Sequence, residues 1–152
     1  MSRAELLQLG ASRARVDAWV KRGRLHRLYR GVYAVGHAHL GRDGKRLAGL
    51  LACGEGAVLS HRTAASHWGL LDTQSARIDV TARRSREGAP GIRLHSSRSL
   101  LARDKTAHEG MPITSVARTL LDLAATVRAD PLDARSRRPS ACSSDEHSPR
   151  CP

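Results

Sequence analysis

The residues best suited to chemistry in this chain are cations set close together. The run GRLHRLYRGVYAVG, residues 23–36, interleaves Arg24, His26, Arg27, Tyr29 and Arg30 with Leu25, Leu28, Val32 and Val35. The run SRARVDAWVKR, residues 12–22, adds Arg13, Arg15, Lys21 and Arg22. Arginine donates hydrogen bonds and accepts none, and its planar fork matches two phosphate oxygens at once. A hairpin that packs its aliphatic residues inward and projects its arginines would hold those groups beside a phosphate backbone. Over residues 1–40, eight Lys/Arg stand against two acids, so this segment supplies half of the net charge of +12. Such a field favours a polyanion: nucleic acid first, an acidic membrane surface or acidic protein second.

Other reactive residue types lack the spacing their chemistry needs. His37-x-His39 and the pair His61 and His67 have no acidic or Cys partner at metal-ligand spacing. His61, beside Arg62 at a helix start, can contact a phosphate or cap and pack. DGK, residues 43–45, supplies half of the acidic and lysine set with which a restriction-like nuclease holds Mg²⁺, and it lies at a predicted helix start. The sequence has no G-x-S-x-G, P-loop or HExxH. It therefore predicts no enzyme, no metal and no cofactor. Cys53, Cys142 and Cys151 form no CxxC pair and no disulfide framework. The N-terminus has no apolar signal region, and no apolar run approaches the ~18 residues of a membrane span. A cytoplasmic location without a membrane partner is expected.

The elements that must position the cations are legible as local patterns. Leu6, Leu7 and Leu9 mark a short helix over residues 3–9, stopped at Gly10. Ser12 is placed to cap a second helix, on which Val16, Trp19 and Val20 share one face. Ala14, Ala18, Lys21 and Arg22 take the opposite face, flanked by Arg15 and Asp17. A hairpin follows, turning at Gly31, where a positive φ is needed. Arg13, Arg15, Lys21 and Arg22 are the candidates for groove contact. Arg24, His26, Arg27, Tyr29 and Arg30 are the candidates for phosphates.

Beyond Gly41, Leu47, Leu50 and Leu51 predict a helix over residues 42–54. Residues 58–70 read as a strand end, a Ser60 cap and a short helix closed by Gly69. Ile78, Val80 and Ala82 alternate with polar residues, and residues 92–97 alternate likewise across the turn 85–91, which predicts a β-hairpin. Thr114 or Ser115 then caps a last helix whose apolar face is Val116, Leu120, Leu121, Leu123 and Ala124. Arg118 and Asp122, at i and i+4, predict a surface ion pair worth about 0.3 kcal/mol. Trp19 and Trp68 lie on apolar helical faces, which favours core packing over base stacking. Residues 128–152 hold one Leu and many Ser, Pro and Arg, too little to bury a core, and are expected to be disordered.

Three stretches carry a family resemblance: SRARVDAWVKRGRLHRLYRGVYAVG, AVLSHRTAASHWGL and PITSVARTLLDLA. In this order they resemble the AbiEi-like antitoxin proteins of type IV toxin–antitoxin (abortive-infection) systems, common in actinobacteria. The resemblance implies an N-terminal winged helix-turn-helix that binds double-stranded operator DNA and represses its own operon. It implies a following α/β domain that opposes a nucleotidyltransferase-like toxin. Relatives often carry a very-short-patch-repair-like endonuclease domain at the C-terminus.

Against that pattern, the chain is expected to lack most of the first helix of the winged helix and to end where the C-terminal domain would begin. A frame-shifted end is one expectation for the tail. The expected fold is α+β: a winged helix-turn-helix over 1–40, a small α/β domain over 41–127 and a disordered tail over 128–152. The expected function is DNA binding with autoregulation. The alternatives are a module that binds an acidic toxin without specific DNA binding, and a non-functional remnant of a nuclease-fused protein. Oligomeric state is not legible in the sequence.

Overall fold

Ser2 and Glu5 start the fold by capping one another. The Glu5 amide donates to Ser2 Oγ at 3.2 Å, and the Ser2 amide donates to the Glu5 carboxylate at 2.9 Å. This opens helix α1 (Arg3–Gln8). Ser12 then caps α2 (Arg13–Lys21), its Oγ accepting from the Arg15 amide at 3.2 Å. The antiparallel strands β1 (Leu25–Tyr29) and β2 (Val32–Val35) follow, turning through Gly31 at φ +77°. This computed structural model describes residues 1–72, 75–82, 89–97 and 100–129. The expected disordered tail beyond Ala129, and residues 85–88 of the expected turn, lie outside them.

The first three residues run along β2. Ser2 bridges Val32, the Tyr33 amide donates to the Met1 carbonyl at 2.8 Å, and the Arg3 amide donates to the Gly31 carbonyl at 2.7 Å. Residues 1–3, β2 and β1 therefore lie side by side in that order. Leu6, Ala11, Val16, Leu25 and Tyr33 form the core between this sheet and the two helices, with Trp19 and Val20 packed on it.

The apolar phase of the hairpin differs from expectation. Tyr33 joins the helix core, while Val32 and Ala34 are buried as well. Successive strand residues point to opposite faces, so β2 is covered on both sides, and α3 packs against it. Val35, at the strand's far end, is 59% exposed, and Leu7 and Leu9 also face solvent.

The rest of the chain builds a second core. Helix α3 (Arg42–Cys53) ends at Gly54, at φ +89°. It leads to β3 (Val58–Leu59), α4 (His61–His67), β4 (Ile78–Ala82) and β5 (Ile92–Ser96). A 3₁₀ turn (Ala102–Asp104), β6 (Lys105–His108), β7 (Met111–Thr114) and α5 (Val116–Ala129) complete it. The five strands lie in the order β5-β4-β3-β7-β6. Leu50, Leu59, Val80, Ile92 and Ile113 fill its centre, and Trp68 packs there while donating to the Thr114 carbonyl at 3.0 Å. The architecture is mixed α+β.

Three expectations about this part are corrected. First, β4 and β5 do not form a hairpin: they run parallel, with Ile78 opposite Ile92 and Ala82 opposite Ser96. Second, β4 does not alternate between core and solvent. Asp79 and Thr81 are 2% and 1% exposed, because α4 covers the face they occupy. Third, the apolar faces of two helices are displaced. In α3, Leu47 is 45% exposed while Arg46 is buried. In α5, Leu120 and Leu121 are exposed while Thr119 and Asp122 are buried where the helix packs on α4.

The buried face of α5 is polar because its groups are satisfied within the helix and by the end of β7. Thr114 and Thr119 share a hydroxyl contact at 2.8 Å, and Arg118 Nε donates to Asp122 at 2.8 Å. Buried polar side chains with partners escape most of the desolvation penalty. The Arg118–Asp122 pair is thus no surface pair: its side chains are 18% and 9% exposed, and Asp104 lies 3.6 Å from Arg118.

Candidate nucleic-acid interface

Helix geometry divides the cations of α2 between two flanks. Each residue advances about 100°, so residues seven apart lie within about 20° of each other. Arg15 and Arg22 share one flank by that rule. Arg13, Asp17 and Lys21, spaced by four, share the other. Val16 is fully buried between the two, which fixes how the helix is rolled.

The Asp17–Lys21 flank opens on a groove of about 1140 Å³. Arg3, Lys21, Arg27 and Arg30 line it, with Tyr29 and Tyr33 among the walls. Asp17 is the one acid among its described lining residues, and Arg3 binds it at 2.9 Å. Lys21, Arg27 and Arg30 are exposed and have no carboxylate partner among the described residues. The fold thus gathers Lys21, Arg27, Tyr29 and Arg30 at one groove. Ser12, Arg13, Arg15, Arg22 and Arg24 are exposed but do not line it, and neither does half-buried His26. His26 Nε2 donates to the Gly36 carbonyl at 3.2 Å, which fixes the ring against the hairpin.

Tyr29 differs in kind from the cations around it. Its ring packs against the second core, and burial, followed by nearby Cys53, raises its phenol pKa above the ordinary value. It is an anchoring wall that joins the hairpin to the larger sheet. Arg3, which the sequence reading passed over, enters the groove through its pairing with Asp17. Fourteen residues separate the two, so no local pattern announces the contact.

A second polar constellation lies on the α/β part. The rings of His61 and His95 stack at 3.6 Å, tilted by 14°. His61 Nδ1 meets Ser60 Oγ at 3.0 Å, Thr81 donates to the same Oγ at 2.7 Å, and His95 Nε2 meets Asp79 at 2.8 Å. His61 begins α4 at φ +50°, a strained value for a side chain with a Cβ. Its pKa is lowered by burial first and by His95 second, against the opposing pull of Asp122 and Asp79. Ser60 is fully buried, so its hydroxyl organises the network and cannot meet a substrate in bulk solvent.

His67, His108 and Glu109 bring three potential metal-ligand atoms within 4.8 Å of one another. The hydrogen bonds oppose that use. Arg46 can only donate, so His67 Nδ1 accepts from it at 2.9 Å, which leaves the ring proton on Nε2 facing the His108 carbonyl at 3.3 Å. Both nitrogens of His67 are occupied.

No protein-family model and no curated protein matches this chain. No helix among the described residues is long and apolar enough to cross a membrane.

Proposed function

We propose that this chain binds double-stranded DNA through α2 and the β1–β2 hairpin, as an antitoxin-like regulator of its own operon. The observation that carries the reading is the groove in which Lys21, Arg27 and Arg30 converge without carboxylate partners, beside an Asp17 already held by Arg3. Two helices joined by a short turn and followed by a hairpin support a winged helix-turn-helix. The side-by-side order of residues 1–3, β2 and β1 supports it too. Docking is electrostatic first: lysine and arginine replace the counterions of the phosphates, which makes affinity fall with salt. Arg15 and Arg22, on the other flank of α2, are the side chains for reading bases. The autoregulatory and antitoxin parts of the proposal rest on the family resemblance.

The test is fluorescence anisotropy of the protein with its own upstream duplex and with a scrambled duplex, titrated across salt. Tighter binding to the upstream duplex at physiological salt is the expected result. Equal binding to both, erased by salt, would reduce the charge to a general attraction for polyanions.

A second reading has its own observation. Val116, Leu120 and Leu121 leave an apolar stripe on α5 exposed, which favours a protein-interaction module, with a nucleotidyltransferase-like toxin as the partner the resemblance suggests. A pull-down with an operon neighbour, lost on Leu121→Glu, would advance this reading over the first.

A further inference from the structure

A second basic cavity, of about 500 Å³, shares Tyr29 with the groove. Arg42, Lys45, Arg46, Arg62 and Arg77 line it, and none of its described lining residues is an acid. Three elements supply them. Arg42, Lys45 and Arg46 stand at i, i+3 and i+4 on α3, one face of its first turns. Arg62 comes from the start of α4, and Arg77 immediately precedes β4.

Pairing separates four of these cations into two kinds. Arg46 is 7% exposed and fully engaged: it donates to Asp43 at 2.9 Å, to His67 Nδ1 at 2.9 Å and to Ser66 Oγ at 3.2 Å. It is a buried post that fixes the cavity wall. Arg42, Lys45 and Arg77 are exposed and have no carboxylate partner among the described residues. Elsewhere in the same unit, Arg93 faces Asp79 and Arg118 faces Asp122 and Asp104. Bringing unpaired cations around one concavity costs repulsion, which a bound anion relieves. Hydroxyls line the same wall. Ser66 accepts from Arg46 and keeps its own proton to donate, and Ser75 and Tyr29 also line the cavity. Cations with hydroxyl donors and no acceptor carboxylate are the chemistry of an oxyanion with several oxygens, which arginine forks match in pairs.

We propose that this cavity is a phosphate-binding site, taking either a free phosphoanion or a backbone phosphate of the polynucleotide in the neighbouring groove. Tyr29 lines both cavities, so the second source requires only that one strand pass it. The free-anion source is independent of the DNA-binding reading, and the polynucleotide source rests on it.

The test uses the full chain and two probes: pyrophosphate by calorimetry, and a short DNA duplex by anisotropy across salt. The cavity variant is Arg42→Gln/Lys45→Gln/Arg77→Gln, all exposed positions, with Arg77→Gln alone as a milder companion and circular dichroism to verify folding. The groove variant is Arg27→Gln/Arg30→Gln. The cavity variant is expected to weaken pyrophosphate binding about tenfold or more, as loss of charge-assisted bonds requires, while the groove variant leaves it unchanged. An unchanged salt slope for the duplex in the cavity variant then assigns the site to free phosphoanions. A slope lower by about two to three assigns it to the polynucleotide backbone, whether or not pyrophosphate binds. If the duplex does not bind at all but pyrophosphate binding still depends on the three cations, the cavity proposal stands and the DNA reading falls. Pyrophosphate binding that survives the triple substitution, or is absent from the parent, overturns the proposal when the duplex slope is unaltered or unmeasurable.

Discussion

Arg27 and Arg118 are the same side chain in two surroundings. Arg27, on β1, is exposed at a groove whose one acid is already bound by Arg3. Arg118, on α5, is 18% exposed, with Asp122 at 2.8 Å and Asp104 at 3.6 Å. The histidines divide similarly. His26 sits on the hairpin with a single backbone partner, whereas His61 stacks on His95 within a network of Ser60, Thr81 and Asp79. Composition treats both regions as basic and polar. Pairing separates them: matched charges hold the fold, and unmatched ones are available to something else.

The widest gap between the regions is expected in stability. Arg118→Ala strands Asp122, whose Oδ2 already lacks a hydrogen-bond partner, in a buried site. It should cost about 3 kcal/mol in urea unfolding. Arg27→Ala should stay within about 0.5 kcal/mol of the parent. Comparable losses at the two positions would break the distinction.

Binding should invert that order. Arg27→Ala/Arg30→Ala is expected to lower the salt slope for any duplex by about two, while preserving thermal stability. Arg15→Ala should instead reduce the preference for the upstream duplex over a scrambled one. Equal losses on both duplexes would remove Arg15 from base reading. Removing the cap of α2 with Ser12→Ala should cost about 1 kcal/mol, and it tests whether the binding helix must be rigid.

The His61 network gives a pH-dependent counterpart. Its folded pKa lies below the ordinary histidine value, so the unfolded chain takes up the proton first as pH falls. Stability should therefore decline as pH drops below about 6.5, and His61→Gln should flatten that decline in denaturation curves collected at several pH values. The smallest effect is expected at Leu121→Glu, within about 0.5 kcal/mol, because that side chain is 69% exposed.

How much of this was legible follows from where each signal is local. Ser12, Val16 and Gly31 each announce a cap, a buried helix face or a turn through their immediate neighbours, and α2 and the hairpin lie where those signals put them, the hairpin's apolar phase excepted. Gly54 and Gly69 ended α3 and α4 for the same reason. Leu120 and Leu121 misled because helix periodicity marks an apolar stripe and not what covers it. Thr119 and Asp122 are buried through hydrogen bonds to Thr114 and Arg118, and hydrophobicity is blind to such compensation. The parallel pairing of β4 with β5 was hidden because alternation states that a strand exists and not which way its neighbour runs. Of the candidate contacts, Lys21, Arg27 and Arg30 met in one groove, but Arg3 and Arg77 could be found only once distant segments were brought together.

The central strand of the larger sheet, β3, has two residues, Val58 and Leu59. On one edge it pairs with β4, and on the other Leu59 pairs with Ile113 of β7. The β6–β7 ribbon closes locally, between Lys105 and Thr114. Joining it to β3 means closing the chain from residue 59 to residue 113, where one ladder pair is backed by the Trp68–Thr114 hydrogen bond and the shared core. Loop-closure entropy must be met before such a contact contributes. Leu59 and Ile113, both fully buried, are therefore where the two halves of this sheet depend on each other.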